Sequence, residues 1–281
     1  MPVDAIASSR SIYATTPPVE ALDEVAVLIP AYNCHDDLEC TLASLAETAP
    51  VHVLVVDDGS TPLIVPTPRA GLIVEVVRMP RNGGIESALA TGIEALAARG
   101  FRYAARFDAG DLAVPGRLAK QRAFLATHPR VACVGTWTQV VSREGRPLFM
   151  LTPPTDPVRL RRTRFLRSPL VHPSVMLDIQ RVLEVGNYRI KYPAAEDLDI
   201  FLRLMEHYDC ANLPERGLYY ELNERGISVT RRFRQIGSTL ALVLCYFDVR
   251  NPYDWGGLVK SLLHFVTPCS LLHKLKRHMF A

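Results

Sequence analysis

Val25-Ala26-Val27-Leu28-Ile29-Pro30-Ala31-Tyr32-Asn33 carries five apolar residues in an unbroken row and then turns polar. An unbroken row, where a half-exposed strand would alternate, predicts a strand over 25–30 buried on both faces, as in a parallel sheet. Val51–Val56, Leu72–Val77 and Arg102–Phe107 repeat the pattern. Between these runs the apolar period lengthens. Residues 36–48 place Leu38, Leu42 and Leu45 on one face behind Asp36 and Asp37, acids that suit the positive end of a helix. Residues 85–99 do the same with Ile85, Leu89, Ile93 and Leu96, and Gly100 follows as a stop. Strands alternating with helices through residue 110 predict an α/β fold, a Rossmann-like doubly wound, mainly parallel sheet. Ligands of such sheets sit at the carboxyl ends of the strands. Tyr32, Asp58 and Asp108 fall at those ends.

Three acidic motifs follow one another along the chain: Val-Asp-Asp-Gly-Ser at 56–60, Phe-Asp-Ala-Gly-Asp at 107–111 and Ala-Glu-Asp-Leu-Asp at 195–199. The Tyr32 ring is able to stack on a nucleobase, and a carboxylate at Asp57 or Asp58 to accept a base N–H. Asp-Asp-Gly-Ser is equally good turn chemistry, so both readings stand at this point. Glu196 and Asp197 open an apolar stretch that reads as a packed helix, where acids also suit the macrodipole. A single His172 reads first as a structural histidine.

Taken in order, these motifs resemble the family 2 glycosyltransferases with the GT-A fold, particularly bacterial enzymes that build surface polysaccharides. The resemblance rests on Ile29-Pro30-Ala31-Tyr32-Asn33, Asp57-Asp58-Gly59-Ser60, Asn82-Gly83-Gly84-Ile85, Arg106-Phe107-Asp108-Ala109-Gly110-Asp111 with Pro115, Arg117, Leu118 and Gln121, then His172-Pro173-Ser174-Val175-Met176 and Ala195-Glu196-Asp197-Leu198-Asp199. It covers residues 25–230 and implies an inverting transfer of a hexose or N-acetylhexosamine from a nucleotide diphosphate sugar, UDP by expectation. The acceptor it implies is a saccharide or lipid-linked saccharide. Pro30, Tyr32, Asn33, Asp58, Asn82, Gly84 and Asp108 are then expected at the sugar nucleotide, Asp197 as general base, and Glu196 beside it orienting the acceptor. Asp108 and Asp111 are the expected ligands of Mn²⁺ or Mg²⁺, hard ions suited to carboxylate oxygen and to a diphosphate leaving group.

The chain departs from the family pattern twice. Relatives commonly read Asp-Ala-Asp-Asp where this chain has Gly110 in the third place, and Tyr-Arg-x-His where it has Tyr220-Glu221-Leu222-Asn223. Both changes fall on expected metal positions, which leaves three readings: Asp111 replaces the missing ligand, a basic group takes part of the metal's role, or the protein binds sugar nucleotide without turnover. Arg159, Arg161, Arg162, Arg164 and Arg167 offer guanidinium forks for a phosphate, with a solvated helix face as the plainer reading. A nucleotidyltransferase is a further alternative, but Ala31-Tyr32-Asn33-Cys34-His35 lacks the glycine-rich phosphate loop such an enzyme carries after its first strand.

Composition sets the frame around the motifs. The 281 residues are 48% hydrophobic and 22% charged, enough for one sizeable core. Residues 1–22 read as a flexible tail rich in Ala, Ser, Thr and Pro, residues 23–230 as the GT-A domain, and residues 231–281 as a basic, apolar helical segment. That last segment carries +6 and the remainder −3. Basic charge beside apolar runs suggests peripheral contact with an anionic membrane more than a nucleic-acid partner, and a helical C-terminal cap with a solvated charged face is an equal alternative. Six cysteines without a CxxC pair, and no secretory pattern, predict reduced thiols in a cytoplasmic protein, with the inner face of the plasma membrane as the place of any peripheral contact.

Overall fold

A computed structural model describes residues 22–221 and 232–266. Asn223, residues 1–21 and residues 267–281 of the expected C-terminal segment lie outside the described residues. The chain begins β1 (Val25–Ala31), α1 (His35–Ser44), β2 (Val51–Asp57), β3 (Leu72–Arg78), α2 (Ile85–Ala98) and β4 (Tyr103–Arg106). β3, β2, β1 and β4 are neighbours in that order and all parallel. Alternate residues of β1 feed two cores. Val25, Val27 and Ile29 pack with Leu38 and Leu42 of α1, while Ala26 and Leu28 pack with Leu89 and Ile93 of α2 on the other face. β3 is the sheet's edge and exposes every second residue near its start, including Ile73.

The second half continues with β5 (Leu112–Ala113), α3 (Arg117–Thr127), β6 (Val131–Val141), β7 (Pro147–Leu151) and α4 (Pro157–Arg162). A one-turn 3₁₀ segment at His172–Ser174 leads to β8 (Met176–Asp178), α5 (Ile179–Glu184), α6 (Glu196–His207) and β9 (Asp209–Glu221). β8 joins antiparallel to β4, and beyond it lie β6, β9 and β5. One continuous sheet therefore has a parallel half that ends at β4 and a mixed half that starts at β8.

α1 stops at Ser44, short of the expected Thr48, because the next residues serve α3. The Ser44 hydroxyl accepts from Ala113 N–H at 2.9 Å, and Glu47 Oε1 accepts from Leu118 N–H at 3.0 Å in the first turn of α3. α7 (Arg232–Cys245) and α8 (Pro252–Val266) form a hairpin packed on the body. Leu242 and Val243 meet Phe165, Leu198 and Leu202 in a third, smaller core. Arg164, one of the five expected phosphate-facing arginines, is committed to that contact through an ion pair with buried Asp254 at 2.6 Å. Arg161 donates to Tyr208 O at 2.9 Å, while Arg159, Arg161, Arg162 and Arg167 all remain exposed, the solvated face that was the plainer reading of this run.

Candidate active site

Tyr32 leaves the end of β1 with its ring half exposed. The next residue, Asn33, has a φ of +49° and bridges to the turn after β2: its N–H donates to Ser60 Oγ at 2.9 Å, and its Oδ1 accepts from Thr61 N–H at 2.9 Å. Pro30 is still within β1, opposite Val56. Asp57 closes β2 with Oδ1 accepting from Ser60 N–H at 2.8 Å and Oδ2 from Arg78 at 2.9 Å. Burial opposes its charge, but the Ser60 donors and Arg78 outweigh burial and hold its carboxyl below the usual range. Asp58 turns toward the start of α2, where Oδ1 accepts from Gly83 N–H at 2.7 Å and Oδ2 from Gly84 N–H at 2.9 Å. The turn reading of Asp-Asp-Gly-Ser is thus realised, and it ties the Asn82–Gly84 loop to the end of β2. Gly59 lets the two turns touch. A Cβ there would lie 2.9 Å from the backbone of Arg81 and Asn82.

Asp108 lies two residues beyond β4 with its side chain 36% exposed, and Oδ1 pairs with Arg106 Nη2 at 2.6 Å. Gly110 has a φ of +103° and donates its N–H to Thr41 Oγ1 at 2.9 Å. Asp111 does not share the rim with Asp108. It is buried beneath the turn, where Oδ1 accepts from Glu221 N–H at 3.3 Å and Oδ2 has no partner. Burial and then the charge of Asp108 push its carboxyl well above the usual range. Among the described residues no three Asp, Glu, His or Cys side chains gather into a metal cage. The donor set fits a hard divalent ion only as one shared with diphosphate oxygens, Asp108 giving the protein's exposed oxygen.

Glu196 and Asp197 form the first turn of α6. Burial first, then Asp197 and Glu86, push the Glu196 carboxyl up to about 8, and its Oε2 is buried without a partner. Burial also raises Asp197, against the Leu198 N–H donor on Oδ1 at 2.7 Å and the charge of Arg106. Asp199, in the same motif, faces the body instead, fully buried between Arg189 and Arg203. The loop before α6 is tied to the first turn of α2: Glu86 Oε1 accepts from Ala194 N–H at 3.2 Å. A groove of about 480 Å³ runs beside Glu86 and Glu94, between α2 and Tyr188–Lys191.

Arg106 stands in the family motif, but sequence reading gave it no role. Its side chain is 2% exposed, Nε and Nη1 have no partner, and its charge acts on Asp111, Glu196 and Asp197 as well as on its ion-pair partner Asp108. Two unpaired donors on a buried cation thus share one centre with two unpaired acceptors, Asp111 Oδ2 and Glu196 Oε2. The sequence signals were its place before Phe107-Asp108 in the family motif and an arginine ending an otherwise apolar strand. His172 is structural in its contacts, with Nε2 2.9 Å from Tyr188 Oη, and burial together with Arg106 keeps it neutral. Arg117 and Gln121 serve as scaffold: Arg117 Nη2 donates to Arg106 O at 3.0 Å, and Gln121 Nε2 donates to Val134 O and Ser174 O.

Comparison with known proteins finds glycosyltransferases. The amylovoran biosynthesis glycosyltransferase AmsE of Erwinia amylovora is 25% identical over 250 residues, covering 86% of this chain and 91% of its own. The putative glycosyltransferase EpsE of Bacillus subtilis is 26% identical over 262 residues, covering 89% and 92%. Among solved structures, S. aureus TarS 1–349 in complex with UDP-GlcNAc superposes with a TM-score of 0.60 at 18% identity, over 86% of this chain and 72% of that one. The mannosyltransferase PcManGT of Pyrobaculum calidifontis, in complex with GDP-Man and Mn²⁺, gives 0.57 at 16%, over 91% and 80%. These two likenesses establish the GT-A fold. The sequence profile of glycosyl transferase family 2 matches residues 26–179, more than half of the chain. By that match, and by its relatives, the chain belongs to glycosyl transferase family 2, as a glycosyltransferase related to enzymes of polysaccharide biosynthesis.

Proposed function

We propose an inverting glycosyltransferase that moves a hexose or N-acetylhexosamine from a UDP-sugar to a saccharide or lipid-linked saccharide during surface polysaccharide synthesis. The observation that carries this reading is the meeting of two acid groups around one buried cation: Asp108 after β4, and Glu196 with Asp197 at the start of α6, with Arg106 acting on all three. The relative named for amylovoran biosynthesis supports the pathway class, and the neighbour holding UDP-GlcNAc supports the donor class.

Tyr32 stacks on the base, while Asp58 holds the Asn82–Gly84 loop in the shape that receives the nucleotide. Asp108 faces the diphosphate. A hard divalent ion, when bound there, neutralises charge on the leaving group. The acceptor hydroxyl gives its proton to Asp197 as its oxygen attacks the anomeric carbon, and the bond from that carbon to the diphosphate oxygen breaks on the opposite face. One displacement inverts the centre. Glu196, held protonated near neutrality, donates a hydrogen bond to the incoming sugar.

Incubation with a panel of UDP- and GDP-sugars and saccharide acceptors, read by release of nucleoside diphosphate, tests the assignment. Release of diphosphate with one donor and its loss in Asp197→Asn is the expected result. Tight nucleotide binding with no transfer from any donor would instead mark a binding protein.

A further inference from the structure

One face of α8 stands outside all three cores. Trp255, Val259 and Leu262 succeed one another at spacings of four and three residues, which sets them on one stripe of the helix. They are 52%, 54% and 50% exposed, whereas Asp254 and Ser261 on the opposite side are buried. Val249, in the turn before α8, extends the patch and accepts the Trp255 Nε1–H at 3.2 Å. The Trp255 ring is also held edge-on against Phe247, with centroids 5.0 Å apart. The helix cannot roll to hide this stripe. Asp254 is pinned by Arg164, Asn251 donates to Arg162 O at 2.8 Å, and Lys260 donates to Leu166 O at 2.6 Å.

Charge indicates what covers the stripe. Residues 231–281 carry +6, and past α8 the sequence sets Lys274, Lys276 and Arg277 among Leu271, Leu272, Leu275, Met279 and Phe280. Lys and Arg near exposed Trp and Leu is the composition of segments that lie in a lipid interface. α8 has 15 residues, roughly 22 Å of helix, too short for a hydrocarbon core of about 30 Å. Among the described residues no helix is long and apolar enough to cross a membrane.

We infer that the stripe Trp255–Val259–Leu262 seats α8 flat in the headgroup boundary of an anionic lipid bilayer. This deepens the reading of a lipid-linked acceptor and rests on it for its purpose. The α7–α8 hairpin packs through Leu242 and Val243 on Leu198 and Leu202 of α6, the helix whose first turn carries Asp197. Seating α8 on lipid therefore brings the acceptor helix of the enzyme to the membrane that holds the acceptor.

The chain has two tryptophans. In full-length Trp137→Phe the fluorescence of Trp255 is observed alone. With phosphatidylglycerol-containing phosphatidylcholine vesicles its emission shifts to the blue and is quenched by brominated acyl chains; pure phosphatidylcholine vesicles give neither effect. Adding Leu262→Asp lowers partition by at least about tenfold, the equivalent of one lost apolar anchor, with UDP affinity unchanged. Absence of quenching, or equal partition by the Leu262→Asp variant, overturns the inference. A wild-type dimer in sedimentation that Leu262→Asp splits would also overturn it, by assigning the stripe to a second copy. If vesicle binding holds while wild type fails to bind UDP, the proposed function falls and the membrane face stands.

Discussion

Asp57 and Asp58 have all four carboxylate oxygens engaged by backbone N–H groups or by Arg78, whereas Asp111 and Glu196 each keep a buried oxygen without a partner. The first pair ends a strand of the parallel half; the second belongs to the centre where the two halves meet around Arg106. A carboxylate whose oxygens are engaged is spent on shape, and here it fixes a turn and a loop on the nucleotide side. A buried carboxyl with an open oxygen is unfavourable unless it is protonated or gains a partner, which keeps its proton affinity high. The difference separates carboxyls already saturated by donors from carboxyls still open to a partner.

The largest effect should come from Asp197→Asn, which keeps the shape of α6's first turn but removes the proton acceptor. A loss of about 10²–10⁴-fold in turnover is expected, with nucleotide affinity unchanged by calorimetry. Near-normal turnover would move the base elsewhere. Arg106→Met should shift the acid limb of the wild-type pH–rate profile upward, because the cation that favours ionised Asp197 is gone. An unmoved limb would break the link between the two acid groups.

Stability should carry the same signature with opposite sign. Glu196 titrates at about 8 when folded against an ordinary 4.5, so the folded state holds a proton that the unfolded chain has released. Its contribution is complete below about pH 4.5 and declines as pH rises toward 8, at a slope of about 1.4 kcal/mol per pH unit for one proton. Urea titrations at about pH 5 and pH 8 should show a smaller loss for Glu196→Gln than for wild type. Equal losses would mean that this carboxyl is solvated.

On the saturated side, Asp58→Ala should weaken UDP binding by roughly 1.5–3 kcal/mol, through the released Gly83 and Gly84 N–H groups and the loosened loop. Hydrogen exchange at those two amides should rise in parallel; unchanged exchange would argue that Asp58 does not hold the loop. Gly110→Ala should cost about 1–2 kcal/mol, since a Cβ meets only Asp37 at 3.7 Å and the strain lies in the backbone at φ +103°. Gly110→Asp bears the same strain and should bind Mn²⁺ no more tightly than wild type with UDP present. A tighter titration would show that the turn yields to a carboxylate.

The strands of the parallel half were legible because an apolar run buried on both faces leaves little alternative, and β1, β2 and β3 begin at the expected residues. Glu196 and Asp197 were legible as a helix opening. Arg106 was not, since nothing local distinguishes a buried cation from an exposed one. Its role depends on acids that lie next to it in one case and 90 residues away in the other. The end of α1 was equally hidden, because the glutamate that caps α3 belongs to a different stretch of chain.

The Arg164–Asp254 pair has a consequence for how this enzyme can be divided. Asp254 is wholly buried, and its arginine comes from the catalytic body, so a chain cut after residue 230 would bare Phe165, Leu198 and Leu202 and leave Arg164 without its ion-pair partner. The cost of the cut is the apolar surface it returns to water, at roughly 25 cal/mol per Å². The hairpin is therefore not an accessory to be trimmed or traded between relatives. Evolution can retune its outer surface one side chain at a time, but exchange of the whole segment must bring along the residues of α4 and α6 that it covers.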